Sequence, residues 1–157
     1  AVGDAWAAGT LEVRHEHFFS ERAGDLLRSL RLRFEERAAG PLVVLATFPG
    51  EAHTLGLQMV ALLLSYTGCR LLYLGAEVPV AQIASLARDL DAHAVGISVS
   101  IYTGKAAGEP LSRLRKMLPP ETVLLVGGEG TPRRKGTIRL DGLRDTLQWG
   151  REQNRAG

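Results

Sequence analysis

The sequence predicts a doubly wound α/β domain: a five-stranded parallel sheet with helices on both faces, preceded by the last part of a helical bundle. Three observations predict it. After Gly40-Pro41 the chain alternates short, uninterrupted apolar runs with segments of helical period, the pattern of strands buried on both faces and connected by crossover helices. Before Gly40 the apolar residues Phe19, Ala23, Leu26 and Leu30 recur at helical spacing, with Glu and Arg between them, and no strand period appears. The four clearest apolar runs are separated by enough chain for a helix each, so right-handed crossovers place every strand C-terminus on one edge.

Each element follows in order. Leu11 to about Arg37 reads as a helix, with Thr10 able to cap it and Glu12 near its positive end. Gly9 can close the preceding segment, which carries Trp6. Trp6 and the pair Glu16-His17 therefore fall on adjacent antiparallel helices near their connection. Residues 1–39 form the remnant of a helical cap, and 40–157 the α/β domain. Within the latter, Leu42 to Thr47, Arg70 to Leu74, Ala94 to Ser98 and Thr122 to Val126 read as strands, with Thr137 to Leu140 a weaker fifth. His53 to Tyr66, Val80 to Leu90, Gly104 to Leu118 and Leu143 to Arg151 read as the intervening helices. The arrangement is flavodoxin-like in the broad, Rossmann-like sense. No internal repeat or low-complexity tract interrupts it.

Composition narrows the function classes. With 157 residues, 45% apolar and 23% charged, the chain can bury one real core and is not a disordered segment. A net charge of +2 does not by itself imply a nucleic-acid partner, and the stretches Arg28 to Arg37 and Arg133 to Lys135 read as solvated faces. The single Cys69 can form neither an internal disulfide nor a metal site alone; at the start of a strand it reads as a buried, inert thiol, in keeping with a reducing cytoplasm. No apolar run reaches the roughly 18 residues that a membrane span needs, and no signal-peptide pattern opens the chain. The opening Ala1-Val2-Gly3-Asp4 lacks an initiator Met and reads as the tail of a helix, so the expectation is a fragment with partner helices upstream.

The residues that follow the strands carry the chemistry. The first strand delivers Glu51-Ala52-His53-Thr54-Leu55-Gly56, the third ends in Ser98-Val99-Ser100, and the fourth in Gly127-Gly128. His53 supplies an imidazole nitrogen suited to a transition metal. Glu51, two residues earlier, can accept the other ring N–H, fixing the tautomer and raising ligand basicity. Gly56, Gly127 and Gly128 remove side chains where a bulky group must approach, while Ser98 and Ser100 offer hydroxyls at the floor of the same cleft. One metal ligand beside room for a large flat group suits a metallocofactor better than a bare ion, since a structural zinc site needs several Cys or His ligands. The first strand–helix turn carries no GxGxxG, which disfavours a standard dinucleotide site. A phosphoacceptor domain would want acidic residues where Phe48-Pro49-Gly50 stands.

The joint spacing resembles the cobalamin-binding domains of methionine synthases and corrinoid proteins, which carry Asp-x-His-x-x-Gly, then Ser-x-Leu, then Gly-Gly. Here 41 residues separate Gly56 from Ser98, and 26 separate Ser100 from Gly127. The departures are Glu51 for Asp and Ser100 for Leu. The resemblance implies base-off, His-on binding: the cofactor's dimethylbenzimidazole tail leaves cobalt and enters a slot beside the sheet, and His53, held by Glu51, becomes the lower axial ligand. It further implies that Gly56, Gly127 and Gly128 leave room for the tail, that Ser98 hydrogen-bonds its base, and that Thr54 and Ser100 belong to the same cofactor-binding set.

Trp6, nine intervening residues and then Glu16-His17 resemble the upper-face motif of adenosylcobalamin-dependent photoreceptor regulators of the CarH type. Carried over by position, Trp6 covers the adenosyl group and Glu16 and His17 support it. The function this implies is a sensor domain binding cobalamin, adenosylcobalamin rather than methylcobalamin, that controls transcription in response to light through self-association or an upstream DNA-binding module. Those regulators have a His directly after the Trp, associated with a light-generated second cobalt bond, whereas this chain has Ala7. The competing reading is a corrinoid carrier of a methyltransferase system, for which His53 serves equally well. A mutase would need a separate substrate barrel. No nucleophile or acid–base pair stands out, so any chemistry belongs to the cofactor and the chain is not read as an enzyme by itself.

Overall fold

The computed structural model describes residues 13–155. Trp6 and Ala7 lie outside the described residues, as do the side chains of Glu16 and His17. The elements run α1 (Val13–Glu35), β1 (Leu42–Ala46), α2 (Leu55–Tyr66), β2 (Arg70–Gly75), α3 (Val80–Asp89), β3 (Ala94–Ser98), α4 (Gly108–Met117), β4 (Val123–Gly127), β5 (Ile138–Leu140) and α5 (Leu143–Arg155). The strands form one five-stranded sheet in the order β2-β1-β3-β4-β5, with every neighbouring pair parallel. The order reverses between β1 and β3, so the loops leaving these two strands diverge to opposite faces and open a crevice between them.

Continuous apolar runs are what such a sheet demands, because alternate residues of each strand face different helices. Val44 and Ala46 of β1 join Val95, Ile97, Leu124 and Val126 under α3 and α4, where Ile83, Leu111 and Leu114 are fully buried. Val43 and Leu45 join Ala94 and Leu125 on the other face, against Leu57, Ala61 and Leu64 of α2 and Trp149 of α5. Each of these larger side chains stabilises the fold by about 1.5–3 kcal/mol through burial. Cys69 is fully buried in the second cluster, and burial pushes its thiol pKa up, as expected for an unreactive thiol.

The first helix lies outside α2. A Cβ on Gly24 of α1 would stand 3.0 Å from Gln58 Nε2, so glycine permits the helices to approach there. The Arg31 guanidinium covers the Tyr73 ring at 4.7 Å, and Phe34 meets Tyr66 edge-on at 5.4 Å. On the far side of α1, Phe18 and Leu26 remain exposed. Among the described residues, no helix is long and apolar enough to cross a membrane.

Helix boundaries differ from the sequence reading in several places, three of which have a cause in the surrounding contacts. The second helix starts at Leu55 rather than His53, because Glu51 takes the His53 backbone N–H and its ring nitrogen into a loop structure. The helix expected from Gly104 starts at Gly108, since Gly104 is held in a turn against the Gly130 backbone, too close for a Cβ. The last helix runs on to Arg155, where Gln153 bonds His93 and Asn154 bonds the Thr67 carbonyl.

Candidate functional site

The segment after β1 is shaped by a chain of hydrogen bonds that starts at the residue just past the strand. Thr47, fully buried, donates its hydroxyl to the Glu51 carbonyl at 2.6 Å and accepts the Glu77 N–H at 3.0 Å. Glu77 sits at φ +55°, and its carboxylate accepts the Gly50 N–H at 3.2 Å. Gly50 itself is at φ +85°, a conformation that glycine adopts without steric cost. The loop is thus tied across to the end of β2 before it reaches Glu51.

Glu51 is 2% exposed, and an isolated carboxylate at that depth would be costly. Both oxygens are satisfied. Oε1 accepts the His53 backbone N–H at 3.1 Å and His53 Nδ1 at 2.8 Å. Oε2 accepts the Ser100 N–H at 2.8 Å and the Thr103 hydroxyl. Burial pushes the carboxyl pKa upward, but the hydrogen bonds from Ser100, Thr103 and His53 outweigh it and lower it from 4.5 to about 2. At neutral pH Glu51 is therefore an acceptor only, so the proton between it and the ring belongs to His53 Nδ1. In the neutral imidazole, Nε2 is then the nitrogen that carries the lone pair.

That nitrogen belongs to an imidazole 62% exposed, with Tyr102 stacked on the ring at 5.3 Å and 25°. Beside it a cavity of about 680 Å³ opens between α1 and the loop, lined by Gly24, Arg28 and Gln58 as well as His53, Thr54 and Tyr73. Among the described residues, no group of three or more His, Cys, Asp or Glu could hold an ion; His53 stands as a single exposed imidazole beside the cavity.

A second cavity of about 290 Å³ runs down beside the sheet between α2 and α5, lined by Gly56, Ser98, Gly127 and Gly128 at its upper end and by Leu57, Val60 and Leu125 lower down. A Cβ on Gly56 would meet only Ser98 Oγ, at 3.8 Å, so a larger side chain there would occupy the cavity itself. Gly128 is constrained differently: at φ +101° it lies so close to the Val99 carbonyl that a Cβ cannot fit.

The predicted residues divide accordingly. His53 and Glu51 form one hydrogen-bonded pair, and Thr54 lines the upper cavity. Gly56, Ser98, Gly127 and Gly128 meet at the slot. Ser100 does not line it: its backbone N–H and its hydroxyl both serve Glu51, and the hydroxyl lies 3.5 Å from Thr103. Sequence reasoning missed Thr103, Tyr102, Thr47 and Glu77. A hydroxyl following the third strand was the only signal available for Thr103, and none distinguished Glu77, whose contribution depends on its positive φ.

A parallel sheet with a ligand-type imidazole at the strand-order reversal and an apolar slot beneath defines the class as a corrinoid-type α/β domain. The same fold occurs in the monomethylamine corrinoid protein of Methanosarcina barkeri (TM-score 0.75, 17% identity, 96% of this chain and 76% of that one). It also occurs in a cobalamin-binding protein of Desulfitobacterium hafniense (TM-score 0.59, 20% identity, 97% and 76%). The chain belongs to the B12 binding domain family, whose profile matches residues 41–155. It is 36% identical over 133 residues to the HTH-type transcriptional repressor CarH of Myxococcus xanthus, covering 81% of this chain and 42% of the repressor. The chain therefore spans less than half of that relative's length.

Proposed function

We propose that this chain binds cobalamin base-off and His-on, with adenosylcobalamin as the preferred form, as the sensor domain of a cytoplasmic, light-responsive transcriptional regulator. The observation that carries the ligation is the Glu51–His53 pair: an ionised carboxylate holding Nδ1–H leaves Nε2 as the one ring nitrogen able to reach cobalt. The donor set and the space fit the cofactor. The upper cavity adjoins the ring, and the slot that starts at Gly56 and Ser98 accepts a displaced tail. Bound cobalamin supplies a cobalt–carbon bond that light can cleave; the protein's part is to ligate, orient and shield. Glu51 fixes the tautomer, Ser98 offers its hydroxyl to the tail base, and Trp6, Glu16 and His17 cover the upper face in this reading.

The regulator is favoured by the 36% identity to a repressor, because the fold is shared equally with a corrinoid protein and does not discriminate. An upstream DNA-binding module and self-association belong to the same proposal. The test is the visible spectrum of the protein with adenosylcobalamin, dark and then illuminated, for the natural sequence and for His53→Ala. Loss or change of the bound spectrum in His53→Ala is expected; an unaltered spectrum would falsify the ligation. No light-dependent change in spectrum or oligomeric state defeats the photoreceptor, and tighter binding of methylcobalamin than of adenosylcobalamin favours the carrier.

A further inference from the structure

We propose that the face formed by α4 and the loop between β4 and β5 docks onto the phosphate backbone of double-stranded DNA. The inference rests on the regulator reading and adds to it a contact made by this domain itself, besides the upstream module.

Charge is spread unevenly along the chain. Residues 104–139 hold eight Lys and Arg against three Glu, so the remainder is net acidic although the whole carries +2. The fold gathers these cations on one side. The loop after β4 runs back along α4: a Cβ on Gly108, where the helix begins, would strike the Arg134 guanidinium, and one on Gly136 would stand 3.2 Å from Cδ of Arg115 in its last turn. Arg133, Arg134 and Lys135 thus share a side of the domain with the exposed Arg113 and Lys116 of α4, and exposed Lys105 just precedes the helix.

Two of the eight cations are committed elsewhere. Arg115 donates to the carbonyls of Leu118, Pro119 and Thr122, and Arg139 donates to Asp141 and the Thr131 carbonyl. Among the described residues, the side chains of the other six find no hydrogen-bond or ion-pair partner, whereas Arg22 and Arg31 of α1 are matched by Asp25 and Glu35. The acids of the segment stand apart, Glu109 and Glu121 at the two ends of α4 and Glu129 at the mouth of the slot.

Unpaired, solvated cations in a row suit a polyanion, because each phosphate they neutralise releases a condensed counterion. The 10-residue α4 is about 15 Å long, a length that takes in roughly four phosphates of one strand. An acidic protein would call for an aromatic anchor at the centre of the face. Residues 104–139 contain no Phe, Trp or Tyr, and Ile138 is their one exposed large apolar side chain. Arg and Lys without such a centre match contacts that position a protein on DNA without reading its sequence.

The experiment follows the fluorescence anisotropy of a labelled duplex of about 20 base pairs and arbitrary sequence, titrated with this chain between about 50 and 200 mM salt. Four contacts predict an affinity that falls roughly 150-fold over that range. Arg133→Ala with Lys135→Ala should reduce the fall to about 10-fold. Arg144→Ala with Arg151→Ala, which removes the same charge from exposed positions of α5, should leave it unchanged. Equal losses from the two pairs overturn the proposal, as does a natural chain that fails to bind the duplex at low salt. Tighter binding of polyglutamate than of DNA assigns the face to an acidic protein and overturns it too. A complex that responds to light while DNA goes unbound sinks this surface alone, whereas DNA binding without any light response sinks the sensor and leaves the surface standing.

Discussion

Replacing Glu51 by Gln keeps the shape of the side chain and removes its charge, which isolates what that carboxylate contributes. Its pKa is lowered from 4.5 to about 2 in the folded protein, so the ionised form is favoured by folding. That is worth about 3 kcal/mol at neutral pH. Because the folded value is the depressed one, this stability is fully present above about pH 4.5 and is lost as pH falls through about 2. Linkage leaves about 1 kcal/mol of it at pH 3. The amide also turns one acceptor into a donor, facing either the Ser100 N–H or the His53 N–H groups, and this second cost does not depend on pH. Glu51→Gln should therefore melt roughly 6–12 °C lower than the natural protein at pH 7. Urea unfolding of both proteins from pH 7 to pH 3 should show the difference shrinking by about 2 kcal/mol. A gap that stays constant across that range refutes the assignment of Glu51 as an ionised, buried hub.

Other substitutions separate space from strain. Gly56→Leu should abolish or weaken cobalamin binding at least about tenfold while leaving the melting temperature unchanged or slightly raised, since glycine is the poorer helix former by about 0.8–1 kcal/mol and only Ser98 Oγ lies near; a stable variant with normal affinity shows the slot is not used. Gly128→Ala should destabilise the fold itself by about 1–3 kcal/mol, measured by urea titration, because of its φ of +101° and the Val99 carbonyl. Tyr102→Ala should weaken cobalamin binding about two- to tenfold and Tyr102→Phe hardly at all, as expected if the ring stacked on His53 steadies the imidazole; identical affinities for Ala, Phe and Tyr count against that role.

The strands were legible because burial on both faces writes itself as uninterrupted apolar residues: Ala94–Ser98 matches its expected bounds, and even the three-residue β5 stands where Thr137 to Leu140 was read as weak. The first-strand loop was legible in part. His53 and Glu51 sit two apart and meet, and Gly56, Ser98, Gly127 and Gly128 converge, because parallel strands send their C-termini to one edge. What stayed hidden is contact between segments remote in sequence. Thr103 reaches Glu51 only because the turn after β3 folds back across the strand-order reversal, and the same turn delays α4 to Gly108. Ser100 serves Glu51 through its N–H, which every residue except proline possesses, as well as through its hydroxyl, so the residue type signalled only part of its contribution.

The carboxylate at the crevice is divided between two neighbours, one oxygen for the β1 loop and one for the segment entering α4. Any sideways tug on the imidazole is accordingly shared, since the same side chain anchors Ser100 and Thr103. A displacement of the His53 ring is passed to the opposite face of the sheet, in the segment entering α4, through Glu51 and through Tyr102 stacked on the ring. The domain thus carries a mechanical rivet across its strand-order reversal.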